Sequence, residues 1–214
     1  MKHTGGKPAK THSYGSASCF KGDKILRRST ILDALTPQEP IFGKKVRLRS
    51  KRLEDAATDF RWRTDIELCR LDASQPLTSS FQEYLRWHQE ELYYITQGCH
   101  FAIDTLNGEH IGNCSYFNFD DMKREAEMGI MIGEKTYWDQ SYGTDAILTS
   151  LNYVFSHSPI ETIHLKTLDW NYRAHRCFEK CGFTYSGTIT SKEHFFLTMK
   201  IYRASVLPQN DPQQ

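Results

Sequence analysis

Long apolar runs are missing from this chain: no stretch approaches the roughly 20 residues that a bilayer-spanning helix needs. The amino-terminus carries positive charge with no apolar segment behind it, so it does not read as a secretory signal. Surplus charge is missing too. Twenty-seven basic and 26 acidic residues leave a formal net charge of +1, which gives no global pull toward nucleic acid or membrane. Cysteine is sparse and unpatterned. The six cysteines (Cys19, Cys69, Cys99, Cys114, Cys177 and Cys181) form no C-x-x-C pair. A chain of 214 residues, 39% hydrophobic, can bury a core without covalent staples. The cysteines therefore read as reduced thiols of a cytoplasmic protein. Cys177 and Cys181 share a helix face, four apart, but no histidine pair stands nearby, so small buried thiols are a better reading than metal ligands. No metal site and no internal repeat is expected.

What is present falls into three parts. Residues 1–41 are rich in Gly, Ser, Thr, Lys and His and lack apolar periodicity, so they read as a flexible basic extension, and residues 206–214 read as a disordered tail. Within the extension, "ILDALTPQEPIF" could pack back as an arm. Between them, 42–205 reads as one domain. "KKVRLRS" alternates apolar and basic residues, the pattern of a half-buried strand, and "LEDAATDFRWR" follows as a short helix. Ser80 and Glu83 form a capping box ahead of a helix with Phe81, Leu85, His88, Leu92 and Ile95 on one face. His88 there reads as a packed histidine. The aromatics Phe81, Tyr84, Trp87, Tyr93 and Tyr94 crowd that helix as core or interface. Two strand-like runs flank Asn107-Gly108, the preferred pair for a tight hairpin turn. A third strand, "AEMGIMIG", a helix with Ile147, Leu151, Val154 and Phe155, the strand "TIHLKTL", a helix stopped by Gly182, and a closing strand pair complete a mixed α/β domain.

The stretch "WDQSYGTDAIL" joins a strand to a helix, as a phosphate site requires, yet holds a single glycine, Gly143. Helix N-termini bind anions through unpaired backbone N–H groups. Gly143 permits close approach, and Ser141 and Thr144 can cap the helix or donate to a phosphate. Asp139 and Asp145 bring opposing charge. From these residues alone the loop is either a phosphate cradle or a plain connection.

Two longer motifs add context. "AEMGIMIGEKTYWDQSYGTDA" and, about thirty residues later, "NYRAHRCFEKCGF" resemble the GNAT superfamily of acyl-CoA-dependent N-acetyltransferases. The nearest branch resembled is that of the ribosomal-protein N-terminal acetyltransferases of the RimJ and RimL kind. The resemblance runs from about Phe42 to Arg203. It implies a mostly antiparallel central sheet with a splayed parallel strand pair and flanking helices, and acetyl-CoA as acyl donor. The pantetheine would pair with the backbone of Met131, Ile132 and Gly133, like an added strand. The pyrophosphate would sit on backbone N–H groups of Gln140, Ser141, Tyr142, Gly143, Thr144 and Asp145. Asn171 would meet the pantetheine arm. A primary amine, on a protein N-terminus or a small molecule, would attack the thioester directly, and a backbone N–H would hold the oxyanion.

The departures are specific. The family loop has glycines where this chain has Asp139 and Ser141. Phe178 stands where a tyrosine often protonates the leaving thiolate, and Cys177 or Tyr172 are substitute donors. Glu127 is either the general base, acting through a water, or a carboxylate bonded across strands. Asp120, Asp121, Glu125 and Glu134 read as solvated loop charges. Two rival readings stay open. One is a non-catalytic CoA-binding module. The other is a nucleic-acid-associated protein using Lys7, Lys10, Lys21, Lys24, Arg27 and Arg28, which the neutral overall charge disfavours. Exposed strand edges and aromatics allow a homodimer. No membrane partner is expected.

Overall fold

The computed structural model describes residues 35, 37–93, 98–191 and 193–207. The six basic residues named for the amino-terminal extension, Cys19, Tyr94, Ile95 and most of the tail lie outside them.

Eight strands form one sheet in the order β1-β2-β3-β4-β5-β6-β8-β7. They are β1 (Ile41–Phe42), β2 (Val46–Ser50), β3 (Cys99–Thr105), β4 (His110–Asp120), β5 (Glu125–Ile132), β6 (Thr162–Leu168), β7 (Thr184–Thr190) and β8 (Phe195–Tyr202). Every neighbouring pair is antiparallel except β5–β6. Two antiparallel strands can be joined by a turn, whereas parallel neighbours need a crossover. Helix α4 (Tyr142–His157) supplies it. Its inner face buries Ala146, Ile147, Leu151, Val154 and Phe155, all fully enclosed, each large side chain contributing about 1.5–3 kcal/mol. This is the mixed fold with a parallel pair that the sequence motifs imply.

Packing begins ahead of residue 42. Leu35 is fully buried, its carbonyl accepts from Cys99 Sγ at 3.0 Å, and Ile41 pairs with Leu48. Helix α1 (Ala56–Thr64) follows a 3-10 turn at Leu53–Asp55, as the sequence pattern implies. Helix α2 (Ile66–Leu71) has no counterpart in the sequence reading. It is too short to show a period, and one N-cap, Asp65 accepting from the Leu68 amide at 2.9 Å, starts it. Helix α3 (Phe81–Tyr93) opens on the Ser80–Glu83 capping box, with the Ser80 amide donating to Glu83 at 2.8 Å and the Glu83 amide to Ser80 at 3.3 Å. His88 is packed: its Nε2–H donates to the Arg52 carbonyl at 3.0 Å. Helix α5 (Tyr172–Lys180) ends before Gly182, whose φ is +95°. A last turn, α6 (Arg203–Val206), closes the described chain.

The Asn107-Gly108 hairpin is looser than a two-residue turn. Gly108 alone of the pair has positive φ (+93°), and the Thr105 amide closes the loop on the Glu109 carbonyl at 2.8 Å. The result is a turn followed by a left-handed glycine, with the register shifting beside Asp104.

The half-buried reading of β2 also needs correction, because Arg49 is interior. Its guanidinium grips Asp55 with two hydrogen bonds (2.8 and 2.7 Å) and Asp104 with a third (2.8 Å). Burial is tolerated because every charge has an opposite partner. Lys51 and Asn113 both hold Asp59 of α1 (2.5 and 2.8 Å). This polar layer fixes α1 on the sheet. Burial alone would raise the Asp55 pKa, but the Arg49 hydrogen bonds and the Arg52 amide overcome it and hold the carboxyl at about 2. A pKa depressed by folding contributes stability that is complete above the ordinary carboxylate value and lost as pH falls toward 2. Between about pH 4 and pH 2 the protein should lose about 2 kcal/mol from this group, visible in urea titrations. Asp55→Asn, which should be less stable at pH 7, should flatten that acid-side slope; an unchanged slope would remove Asp55 from the account.

Candidate active site

The pairing of β5 with β6 is short. It covers Glu125↔Thr162, Ala126↔Ile163 and Glu127↔His164, and among the described residues no strand pairs with that edge of β5 beyond Glu127. Both strands nevertheless continue, to Ile132 and Leu168. They diverge, and a gap opens between them.

Strand alternation identifies which backbone groups face the gap. The Gly133 amide donates to Ile111 on the β4 side at 2.8 Å. By period two, Met131 shares that side, whereas Met128, Ile130 and Ile132 face the gap. The Ile132 carbonyl accepts from the Trp138 indole at 2.7 Å, across the gap side. An added strand could therefore pair with Ile130 and Ile132, not with Met131 and Gly133 as the resemblance implies. Gly133 has a different task. A Cβ there would lie 2.2 Å from the Trp62 ring, so glycine lets that buried indole lie against the backbone. Trp62 then donates to Glu134 at 3.0 Å, and Glu134 is thus no free loop charge.

Beyond a single-turn 3-10 helix (Lys135–Tyr137) the chain enters the loop. Asp139 (φ +57°) and Ser141 (φ +65°) are both left-handed. These are the two positions where the family pattern has glycine. The chain keeps the glycine-shaped turn and accepts the strain, roughly 1–2 kcal/mol for serine and less for aspartate. Ser141 occupies the N-cap position of α4, but its side chain makes no cap. The first bond of the helical ladder is Asp145 N–H to Ser141 C=O at 3.0 Å. The amides of Tyr142, Gly143 and Thr144 precede that ladder, where helices leave donors for an anion.

Asp145 does not oppose an anion here. Its carboxylate accepts from the amides of Lys44 (3.1 Å), Lys45 (2.7 Å) and Val46 (3.1 Å), which tie it to the β1–β2 turn. Its own amide bonds within the helix, so Asp145 leaves the set of cradle donors. Lys45 Nζ donates to the Gln140 carbonyl at 3.0 Å and lies 5.1 Å from the Tyr142 ring. The Thr144 hydroxyl meets Cys177 Sγ at 3.5 Å rather than pointing to the cradle. At Gly143 a Cβ would make only ordinary contacts, 3.6 Å from Cys177 Sγ and 3.7 Å from Ile132.

The gap, this loop and α5 enclose a cleft of about 220 Å³. Most of the sequence-nominated residues line it: Met131, Ile132, Ser141, Tyr142, Gly143, Thr144, Asn171 and Phe178. Gln140, Asp145 and Gly133 do not. Sequence reading gave no role to Arg173, Arg176 and Lys180, which line the same wall. Their spacing with Cys177 (i, i+3, i+4, i+7) is the signal that would have placed them on one helix face. Arg173 stacks its guanidinium 3.4 Å from the Trp138 ring centroid, beside Asp139. A shallower hollow of about 270 Å³ adjoins the cleft, between Trp138, Trp170, Tyr172 and Arg173. Asn171 caps α5 with its carbonyl oxygen on the Ala174 amide (3.3 Å). Phe178 is buried against Phe183 with ring centroids 5.8 Å apart.

Glu127 stands where β5 and β6 part. It is 8% exposed and is held by Asn118 at 2.9 Å and Lys166 at 3.2 Å, with His164 at 4.0 Å. Asn118, His164 and Lys166 carry no motif of their own, and only the register brings them together. Glu127 lies opposite Phe117. Phe117 shares its face with Asn113, which bonds α1. The alternate residues Cys114 and Tyr116 face α4 through Ser150 (3.8 and 2.8 Å). Glu127 and the α4 loop thus lie on opposite faces of the sheet, joined by the gap. Among the described residues no group of three or more metal-binding side chains gathers, and no helix is long and apolar enough to cross a membrane.

These features match a known class. The model of the acetyltransferase (GNAT) domain family matches residues 45–184, and the chain belongs to that family. Solved structures of similar fold include a spermidine N-acetyltransferase from Vibrio cholerae in complex with CoA and spermine. It is 19% identical, with a TM-score of 0.66 over 74% of this chain and 96% of that one. An aminoglycoside acetyltransferase in complex with coenzyme A is also 19% identical (TM-score 0.64, 75% and 96% covered). A GNAT-family acetyltransferase from Bacillus anthracis is 13% identical (TM-score 0.65, 77% and 99% covered). At such identities the likeness is one of fold. No curated protein sequence matches the chain.

The strained loop yields a direct test. Ser141→Gly should stabilise the protein by up to about 1 kcal/mol, a rise of about 2–4 °C in Tm by calorimetry. A lower Tm would mean that the serine side chain holds the turn.

Proposed function

We propose that the protein is an N-acetyltransferase that moves an acetyl group from acetyl-CoA to a primary amine. The observation that carries this reading is the gap itself. It connects a helix N-terminus ringed by cations on one face of the sheet with a buried carboxylate on the other. A phosphate-bearing thioester fits that layout: diphosphate on the Tyr142–Thr144 amides, pantetheine along Ile130 and Ile132, thioester in the gap. Arg173, Arg176 and Lys180 would balance the phosphate charge. The hollow beside Trp138 and Trp170 suits the flat adenine end.

The amine would come from the α1 face, where Glu127 sits. It attacks the thioester carbonyl, and an inward backbone N–H of β5 holds the oxyanion. Glu127 would take the amine proton, directly or through a water, while Asn118 and Lys166 fix the carboxylate's orientation. Phe178 cannot protonate the departing thiolate. Tyr172 is 67% exposed and lines the adjoining hollow, not the cleft. Cys177 also fails as an acid, since its thiol is held down to about 6. The CoA thiolate then leaves unprotonated or takes its proton from water. The acceptor class is a protein N-terminus or a small-molecule amine; the structural relatives crystallised with spermine or named for aminoglycosides support an amine acceptor.

Calorimetric titration should show acetyl-CoA binding in the micromolar range, about −8 kcal/mol, with dephospho-CoA and ATP weaker. Gly143→Pro removes one cradle N–H at a helix position that tolerates proline, and should abolish binding. Glu127→Gln should slow amine acetylation more at neutral pH than at high pH, where the amine is already deprotonated. Equal loss at both would make Glu127 a structural carboxylate. Binding without turnover on any amine would favour a CoA-binding module with a degenerate site.

A further inference from the structure

The cleft wall carries a thiol, Cys177, and a second, Cys181, is buried behind it; acetyl transfer uses neither. Cys177 is half-buried in the cleft wall, between Arg173 and Lys180 on the same helix face. Cys181, 5% exposed, follows four residues later at the end of α5. Both meet the first turn of α4. Cys177 Sγ lies 3.5 Å from the Thr144 hydroxyl, and Cys181 Sγ donates to the Thr144 carbonyl at 3.7 Å. Residues four apart in a helix have Cα atoms about 6 Å apart, inside the roughly 4.4–6.8 Å span of disulfides, but Cβ atoms about 5–6 Å apart, beyond the roughly 3.5–4.5 Å a disulfide needs, so the last turn has to tighten. Gly182 follows immediately with a left-handed φ of +95°, so little regular helix remains to resist a tightened last turn.

The two sulfurs differ in chemistry. The neighbouring Cys181 thiol is the main influence that draws the Cys177 thiol down to about 6, against burial and with help from Thr144, Lys180 and Arg173. The same contact and burial push Cys181 up. Cys177 is the more accessible and more acidic sulfur and Cys181 the buried, less acidic one, the division that a nucleophilic and a resolving cysteine require.

We propose that Cys177, in the cleft wall, and Cys181 behind it form a redox couple, oxidised by hydroperoxides to an intrahelical disulfide, and that this oxidation and acetyl-CoA binding exclude one another. The exclusion rests on the cofactor reading above; the couple does not. The Cys177 thiolate attacks the terminal peroxide oxygen. The S–O bond forms, the O–O bond breaks, and the alkoxide leaves as alcohol with a proton from solvent. The Cys181 sulfur then attacks the Cys177 sulfenic sulfur. The S–S bond forms, the S–O bond breaks, and hydroxide leaves as water with the Cys181 proton. Two thiols lose two electrons and one hydroperoxide gains them. The sulfurs draw to about 2.05 Å and abandon Thr144, so the first turn of α4 loses the side chains that pack beneath its free amides. In the other direction, bound cofactor would cover Cys177.

Trypsin cuts after Arg176 and Lys180, so the disulfide would hold two tryptic peptides together. The full chain, treated with an alkyl hydroperoxide, should give that linked pair by mass spectrometry, and a dithiol should release it. The oxidised protein should bind acetyl-CoA at least tenfold more weakly, with recovery on reduction. In untreated protein, alkylation of Cys177 by iodoacetamide should reach half its maximal rate near pH 6 and should slow when acetyl-CoA is present. Cys181→Ser should leave Cys177 oxidisable but unlinked. Absence of the linked pair overturns the couple. A linked pair with unchanged acetyl-CoA affinity overturns the exclusion. Failure of the reduced protein to bind acetyl-CoA would sink the cofactor reading and the exclusion together, while the linked peptides would still establish the couple.

Discussion

Three residues of parallel pairing decide the architecture of this molecule. Were β5 and β6 hydrogen-bonded along their full lengths, the sheet would be continuous and no passage would connect its faces. They part after Glu127, and among the described residues no strand takes the inner edge of β5 from Met128 to Ile132. An exposed strand edge is ordinarily a liability that a protein blocks. Here only its end is closed, by the Trp138 indole on the Ile132 carbonyl. The crossover through α4 follows from the same constraint, because parallel strands cannot be joined by a tight turn. That crossover sets a helix N-terminus beside the opening, so edge, gap and helix N-terminus come as one unit.

The electrostatics of the two faces are divided accordingly. On the α4 side, the helix amides and the cations of α5 make the wall positive. Asp145 would weaken that wall if it faced the loop, but it is consumed by three amides of the β1–β2 turn. Asp139 lies beside Arg173. On the opposite face, Glu127 is a carboxylate with its partners already in place. The Arg49–Asp55–Asp104 layer keeps α1 fixed over that face at the cost of burying charges, which is tolerable because each is paired.

Strain is concentrated in the loop. Asp139 and Ser141 hold left-handed backbone without the glycines that would make it easy. A structure keeps such strain only where the surroundings over-determine the conformation. Here those surroundings are the Trp138 anchor, the Arg173 stack, and the Lys45 hydrogen bond to Gln140.

The sequence by itself determined the elements and their order from β2 to β8, since long amphipathic helices and alternating strands announce themselves by period. It also determined the strand–loop–helix junction, because the three segments are contiguous, so that Ser141 to Thr144 could be named from a motif. It did not reveal α2, too short to have a period, nor that Arg49 is interior, since an arginine is buried only by partners supplied from Asp55 and Asp104. Only the tertiary structure decided which backbone groups face the gap, because one residue of register exchanges Met131 for Ile132. It alone tied Asp145 to the β1–β2 turn and gathered Asn118, His164 and Lys166 around Glu127, over separations of 9 to 39 residues in the chain. Local pattern fixes what a segment becomes. Pairing register and helix packing, which depend on distant residues, fix what its side chains meet.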